Sequence, residues 1–240
     1  MNIKSFFEEN QVMQTSTNES FLPTIISIVV ILALLAIIFP IVLVNIRKQN
    51  KKKSIGFKFE EEANYLVKAF AGPTFFTHIG GAIYSYDSKM YEVDGLLVSD
   101  SLIVVIEYKA FNGTISGDGA GEYVYLTSNN KRKAKFKNPI LQNEKHIQHL
   151  WNTIGKKIPV GSLIIFPDNV KFNISNLDNH VILSHLSDVP ANILMLHQAS
   201  ASLPPVTNSD HILNALKMMK IKTRQENKEF QKMINKEKNV

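Results

Sequence analysis

The chain has 240 residues, 45% of them hydrophobic, with no cysteine and a formal net charge of +6. That length holds one medium domain and an appendage, and the lack of cysteine excludes disulfides, thiolate catalysis and zinc–cysteine sites. Charge is unevenly placed: residues 1–21 carry one lysine and three glutamates, whereas residues 47–240 carry 26 basic and 18 acidic side chains, a balance that suits a polyanionic partner such as nucleic acid or anionic lipid.

Residues 1–21, rich in Asn, Ser, Thr and Glu, read as a short disordered tail. Residues 22–46, LPTIISIVVILALLAIIFPIVLVNI, contain no charged side chain and exceed the ~20 residues that a helix needs to cross a bilayer. Pro40 would kink such a helix near its end. A cleaved signal peptide fits less well. The apolar run is longer than the usual ~7–15 residues, starts late, and ends in RKQNKKK instead of a small-residue cleavage site. The expectation is a single transmembrane anchor. Arg47, Lys48, Lys51, Lys52 and Lys53 follow the span while Lys4 alone precedes it. The positive-inside rule then puts the N-terminus outside the cell membrane and the C-terminal domain in the cytoplasm. Residues 47–55 form a basic juxtamembrane linker.

From Ser54 onward the pattern is globular. FKFEEEANYLVKAF (57–70) predicts a helix with an apolar face of Phe59, Ala63, Leu66 and Phe70, ended by Gly72–Pro73. AIYSYD (82–87), YEVDGLLVS (91–99), LIVVIEYKAF (102–111) and EYVYL (122–126) predict strands. NPILQNEKHIQHLWNTIG (138–155) predicts a helix with Asn138 as N-cap, Pro139 in the first turn and Gly155 past its end. GSLIIF (161–166) and VILS (181–184) predict short buried strands, and Ala191–Gln198 a short helix. After LPPVTNS, residues 201–240 read as a linker and one long, lysine-rich helix over Asp210–Asn239.

Two strands are interrupted by charge. Asp94 sits in YEVDGLLV, and Glu107 and Lys109 in LIVVIEYKAF. A charge in a strand core is costly unless paired or bound to a metal, so these residues are either an internal salt bridge or a site. If Asp100–Ser101 is a two-residue hairpin turn, Ser99 pairs with Leu102, and the same register sets Asp94 opposite Glu107. Opposed Cβ atoms lie about 4.5–5.5 Å apart. Two like charges that close call for a cation between them, and a hard divalent ion with oxygen ligands would serve. Lys109 projects from the same face. Two carboxylates holding Mg²⁺ or Mn²⁺ beside a lysine suit phosphodiester hydrolysis; a structural Glu107–Lys109 or Asp94–Lys109 pair is the alternative.

YEVDGLLVSDSLIVVIEYKAFNGTISG, followed by NPILQN, resembles the NERD (nuclease-related) domain, a family similar to the restriction-endonuclease-like nucleases with their aspartate followed by Glu-x-Lys. The resemblance runs from about Gly56 to Ser187. It implies an α/β core with a central mixed sheet flanked by helices, here behind one transmembrane helix, and a domain over residues 56–200. It further implies a metal site at Asp94 and Glu107, with Lys109 as the catalytic cation. The acidic residue of the first helix would be Glu62, with Glu61 as the alternative, and Gln142 would reach the site from the later helix. Two departures stand out: Gly95 replaces the histidine that many relatives carry after the aspartate, and Phe59-Glu60-Glu61-Glu62 lacks the usual glycine.

Other signals carry less. GDGAG (117–121) lacks the Gly-Lys-Ser/Thr ending of a phosphate-binding loop and reads as a turn. Gln142, His146 and His149 share one helix face, where the histidines are expected to meet solvent or phosphate more often than metal. Trp151 reads as core. Lys131, Arg132, Lys133, Lys135 and Lys137 in KRKAKFK would grip a nucleic-acid backbone or belong to a solvated loop. The expectation is a membrane-anchored, metal-dependent nuclease acting on nucleic acid, first of all DNA. A catalytically inactive module binding nucleic acid or a protein at the membrane is the rival. A structural membrane protein with a recruiting terminal helix is the third reading.

Overall fold

The computed structural model describes residues 3–87, 89–155 and 157–237. The chain divides into two compact units, Met1–Ser54 and Ile55–Val240, and each is described by itself. The helix α1 (Ile3–Ala71) contributes residues 3–54 to the first. Within it, Ile25–Arg47 is 23 residues of mean hydropathy 3.3 with none of its surface buried by protein, long and apolar enough to cross a membrane. The tail expected to be disordered is instead helical from Ile3. Extending an existing helix costs far less than nucleating one, so polar residues can continue the helix begun by the apolar run.

The second unit is an α/β domain with two mixed sheets. Its elements after α1 are β1 (Thr77–Tyr86), β2 (Lys89–Val98), β3 (Ile103–Tyr108), β4 (Thr114–Asp118), β5 (Tyr123–Thr127), β6 (Lys133–Lys137), α2 (Pro139–Ile154), β7 (Val160–Phe166), β8 (Lys171–Ser175), β9 (Val181–His185), α3 (Val189–Ser202), α4 (Ser209–Met219) and α5 (Arg224–Glu237). The central sheet runs β1-β2-β3-β7-β9, antiparallel at the start and parallel from β3 onward. Its strands β3 and β7 are buried throughout, as expected for a parallel sheet covered on both faces. Leu97, Val104, Ile106 and Leu163 pack with Phe59, Ala63 and Val67 of α1 and with α3. Leu96, Val98, Ile103 and Val105 pack with Ile147 and Leu150 of α2 and with α4.

The second sheet, β6-β5-β4-β8, contains three strands absent from the sequence reading: β4, β6 and β8. KRKAKFK is therefore largely strand, not loop. Its Lys-Ala-Lys-Phe-Lys alternation is the period-2 signature of a strand. Gly113 admits the sharp entry to β4: its φ is +125°, and a Cβ there would lie 2.2 Å from the Thr127 carbonyl oxygen.

The terminal helix predicted over 210–239 is two helices. Between them the chain is extended: Ile221 N–H donates to the Ile83 carbonyl at 2.9 Å, and Lys220 bridges to Tyr84, covering the exposed edge of β1. Thr223 and Glu226 then start α5 as a capping box. Glu226 N–H donates to Thr223 Oγ1 at 3.2 Å, and Thr223 N–H to Glu226 Oε2 at 3.1 Å.

The buried stripe of α1 also differs from expectation. Phe59, Ala63, Val67 and Ala71 are buried while Phe70 is exposed. Steps of four residues turn a helix face by about 40° each, so this stripe rotates toward Glu60 and Asn64, away from Glu62.

Candidate active site

The hairpin has the expected register. Gly95 pairs with Ile106, Leu96 with Val105 and Val98 with Ile103, and Ser99 N–H closes the turn on the Leu102 carbonyl at 3.0 Å. The paired ladder stops at Gly95–Ile106. At the next step the Asp94 side chain takes over, and its Oδ2 accepts the Tyr108 N–H at 3.0 Å.

Glu107 is the centre of the cluster, with only 1% of its side chain exposed. Its Oε1 pairs with Lys109 Nζ at 2.5 Å and accepts from Gln142 Nε2 at 2.8 Å. His146 Nε2 lies 3.4 Å from Oε2, too long to count as a hydrogen bond. Oε2 is thus a buried carboxylate oxygen without a donor. Burial alone would raise the pKa of Glu107, but His146 and Lys109 outweigh it and hold the carboxyl below its ordinary value. Asp94 goes the other way: burial, then the charge of Glu107, push it up to about 7 against the Tyr108 N–H and Lys109. Two neighbouring carboxylates with diverging proton affinities mark a functional site.

Helix α2 is fixed by NPxxQN. Asn138 Oδ1 caps the helix by accepting Ile140 N–H at 3.0 Å, and its Nδ2 shares donation among the carbonyls of Asp118, Gly119 and Gly121 at 3.2, 2.9 and 2.8 Å. Asn143 is fully buried and donates to the Val105 carbonyl at 3.0 Å and Ser162 Oγ at 2.8 Å, docking α2 on β3 and β7. Gln142, between these anchors in sequence, reaches Glu107. GDGAG is thereby a packing turn, and a Cβ on Gly119 would meet the Asn176 carbonyl oxygen at 2.5 Å.

The structure brings Asp94, Glu107, Lys109 and Gln142 together as expected. Glu62 and Glu61 are exposed, and Glu62 lies on the flank away from the buried stripe. Glu60 takes the electrostatic place assigned to Glu62. Its carboxyl is raised by burial and by the charges of Glu92 and Glu107, with Lys109 opposing. His146, expected to face solvent or phosphate, belongs to the cluster; its i+4 relation to Gln142 was the available signal. His149 stacks on Tyr91 with centroids 4.9 Å apart, and Trp151 is half-buried, donating to the Ile158 carbonyl at 3.3 Å. A cavity of about 550 Å³ is lined by Asp94, Gln142 and His146 together with Phe230, Met233 and Ile234 of α5.

Residues 55–167 match the family model described as the nuclease-related domain, NERD. This segment is a NERD domain. Comparison of the chain with curated proteins and with solved structures gave no match. The NERD segment contains Asp94, Glu107, Lys109 and Gln142, while α3, α4 and α5 follow it.

Among the described residues no group of three His, Asp or Glu side chains converges as a ready-made metal cage. The donor set nevertheless fits a small hard cation. Mg²⁺ is commonly held by one or two carboxylates, with water and substrate phosphate completing its shell. Asp94 and Glu107 supply that pair, and Glu107 Oε2 is a buried acceptor still to be satisfied.

Proposed function

We propose that the NERD domain hydrolyses phosphodiester bonds of nucleic acid, DNA first of all, with Asp94 and Glu107 holding Mg²⁺ or Mn²⁺. The observation that carries this reading is the buried cluster in which Glu107 meets Lys109 and Gln142 beside Asp94. When bound, such a metal polarises the phosphodiester and lowers the pKa of a water molecule. Lys109 Nζ spends one proton on Glu107 and has two more to offer, enough to orient a water and stabilise charge on a phosphoryl oxygen. Gln142 orients the Glu107 carboxylate by donating to Oε1. One observation favours the rival, a binding module without catalysis: the Lys109–Glu107 pair also satisfies a purely structural network.

Nicking of supercoiled plasmid by the full chain in detergent, with Mg²⁺ or Mn²⁺ and with EDTA, separates them. Metal-dependent nicking is expected; none with either metal sinks the nuclease reading.

Asp94→Asn supplies a second test. Asn can still accept the Tyr108 N–H, so the hairpin should survive. A carboxyl whose folded pKa is raised from 3.8 to about 7 loses stability for the fold as pH rises between those values, because the unfolded chain gives up its proton first. The metal-free variant should therefore melt at or above the parent, with the widest gap above pH 7 and a narrowing gap toward pH 4. It should also lose stabilisation by Mn²⁺ and all nicking. A variant markedly less stable at pH 8 would assign Asp94 to a structural pair.

We further infer that Ile25–Arg47 anchors the protein in the cell membrane with the NERD domain in the cytoplasm, supported by the basic residues after the span. A C-terminal tag should resist protease in intact cells while an N-terminal tag is digested. The reverse pattern overturns the orientation.

A further inference from the structure

All five side chains of β6 are exposed, and Lys133, Lys135 and Lys137 alternate onto one face. Pairing with β5 sets Thr127, Tyr125 and Tyr123 beside them. Each of the first two lysines leans over the ring two positions along: Lys133 Nζ lies 4.3 Å from the Tyr125 ring centroid, and Lys135 Nζ 3.6 Å from that of Tyr123. Cation–π contacts hold these ammonium groups in place, where a plain surface lysine would sample many rotamers. Alternate residues on a strand are about 6–7 Å apart, so the three charges form a straight, evenly spaced row. The row ends at the catalytic cluster, since Lys137 lines the same cavity as Asp94 and Gln142. Glu122 and Glu92 also line that cavity.

A regular line of positive charge complements a chain of regularly spaced phosphates. The cavity narrows the choice of chain. Its volume of about 550 Å³ is that of a pocket for one small ligand. It admits one nucleotide but not both strands of a duplex, whose major groove alone is ~12 Å wide. Phe230 and Met233 of α5 help to close it.

We infer that the domain takes single-stranded nucleic acid, gripped along Lys133, Lys135 and Lys137 and led into the cavity beside α5. The inference deepens the proposed nuclease function and rests on it only for what happens where the track ends. Its test is binding without cleavage: the full chain in detergent with EDTA, titrated against labelled oligothymidylate, oligouridylate and a duplex of equal length, followed by fluorescence anisotropy. Single strands should bind at least about tenfold tighter than the duplex. The Lys133→Gln, Lys135→Gln double variant, altered only at exposed positions, should keep its melting temperature. Its log–log salt dependence should become shallower by about 1.4, at ~0.7 for each lost phosphate contact on a single strand. The two single-stranded probes distinguish DNA from RNA. Equal affinity for the duplex, or an unchanged salt slope in the double variant, overturns the track. Because EDTA suppresses metal-dependent cleavage, a track that binds in a protein that never nicks sinks the nuclease reading alone. Nicking with an unchanged slope sinks the track alone.

Discussion

Replacing Lys109 with methionine should lower plasmid nicking by ~10²–10³, the usual worth of one group that stabilises developing charge. Methionine keeps much of the apolar stem and removes the ammonium. Asp94 and Glu107 remain, so Mn²⁺ affinity should hold or rise, because a cation that competed for Glu107 Oε1 is gone. The metal-free protein should also be destabilised. Breaking a buried pair commonly costs ~3–5 kcal/mol, but the loss here should be smaller. Lys109 is 22% exposed, and Gln142 still donates to the stranded carboxylate. Mn²⁺ should restore that stability. Melting curves with and without Mn²⁺, run beside the nicking assay, separate two roles that the geometry superimposes. A variant that loses only stability, from a parent that nicks, would place Lys109 in the scaffold. Full nicking by the variant would remove it from the mechanism.

Much of this site was legible in the sequence because hairpin geometry is arithmetic. A two-residue turn at Asp100–Ser101 dictates the register, and the register sets Asp94 level with Glu107. The NPxxQN helix was equally legible, since an Asn N-cap, Pro in the first turn and a terminal Gly are local signals. What escaped depends on packing between distant segments. Glu60 instead of Glu62 reaches the cluster because α1 buries Val67 and Ala71, and several nearby residues could have supplied that apolar stripe. β4 and β8 are short and polar, and they pair with one another across more than fifty residues. The split between α4 and α5 carried a local signal, the Thr223–Glu226 capping box, but the edge of β1 that draws out Lys220 and Ile221 is a tertiary feature. The role of α5 in the cavity wall likewise follows from where the fold returns the chain.

Asn138→Ala should be the most damaging change outside the charged cluster, and it tests whether scaffold and site are one network. The residue is buried, with 2% of its surface exposed. Its loss removes the α2 cap, worth ~1 kcal/mol, and leaves the carbonyls of Asp118, Gly119 and Gly121 without a donor they now share. Stranding buried polar groups adds ~1–3 kcal/mol, so the expected total is about 2–4 kcal/mol. In a unit of this size that lowers the melting temperature by roughly 5–15 °C. Asn138→Asp separates the two contributions. Aspartate keeps the oxygen that caps Ile140 but cannot donate, and it sets a negative charge against three carbonyl oxygens. If the cap dominates, Asp should restore most of the stability. If the carbonyl contacts dominate, it should be as poor as Ala or worse, which is the outcome these distances favour. Either way the first turn of α2 would fray, and Gln142 would lose its fixed approach to Glu107. Nicking measured well below the lowered melting point should therefore fall with both variants. Unchanged nicking in a destabilised protein would show that Gln142 positions nothing essential.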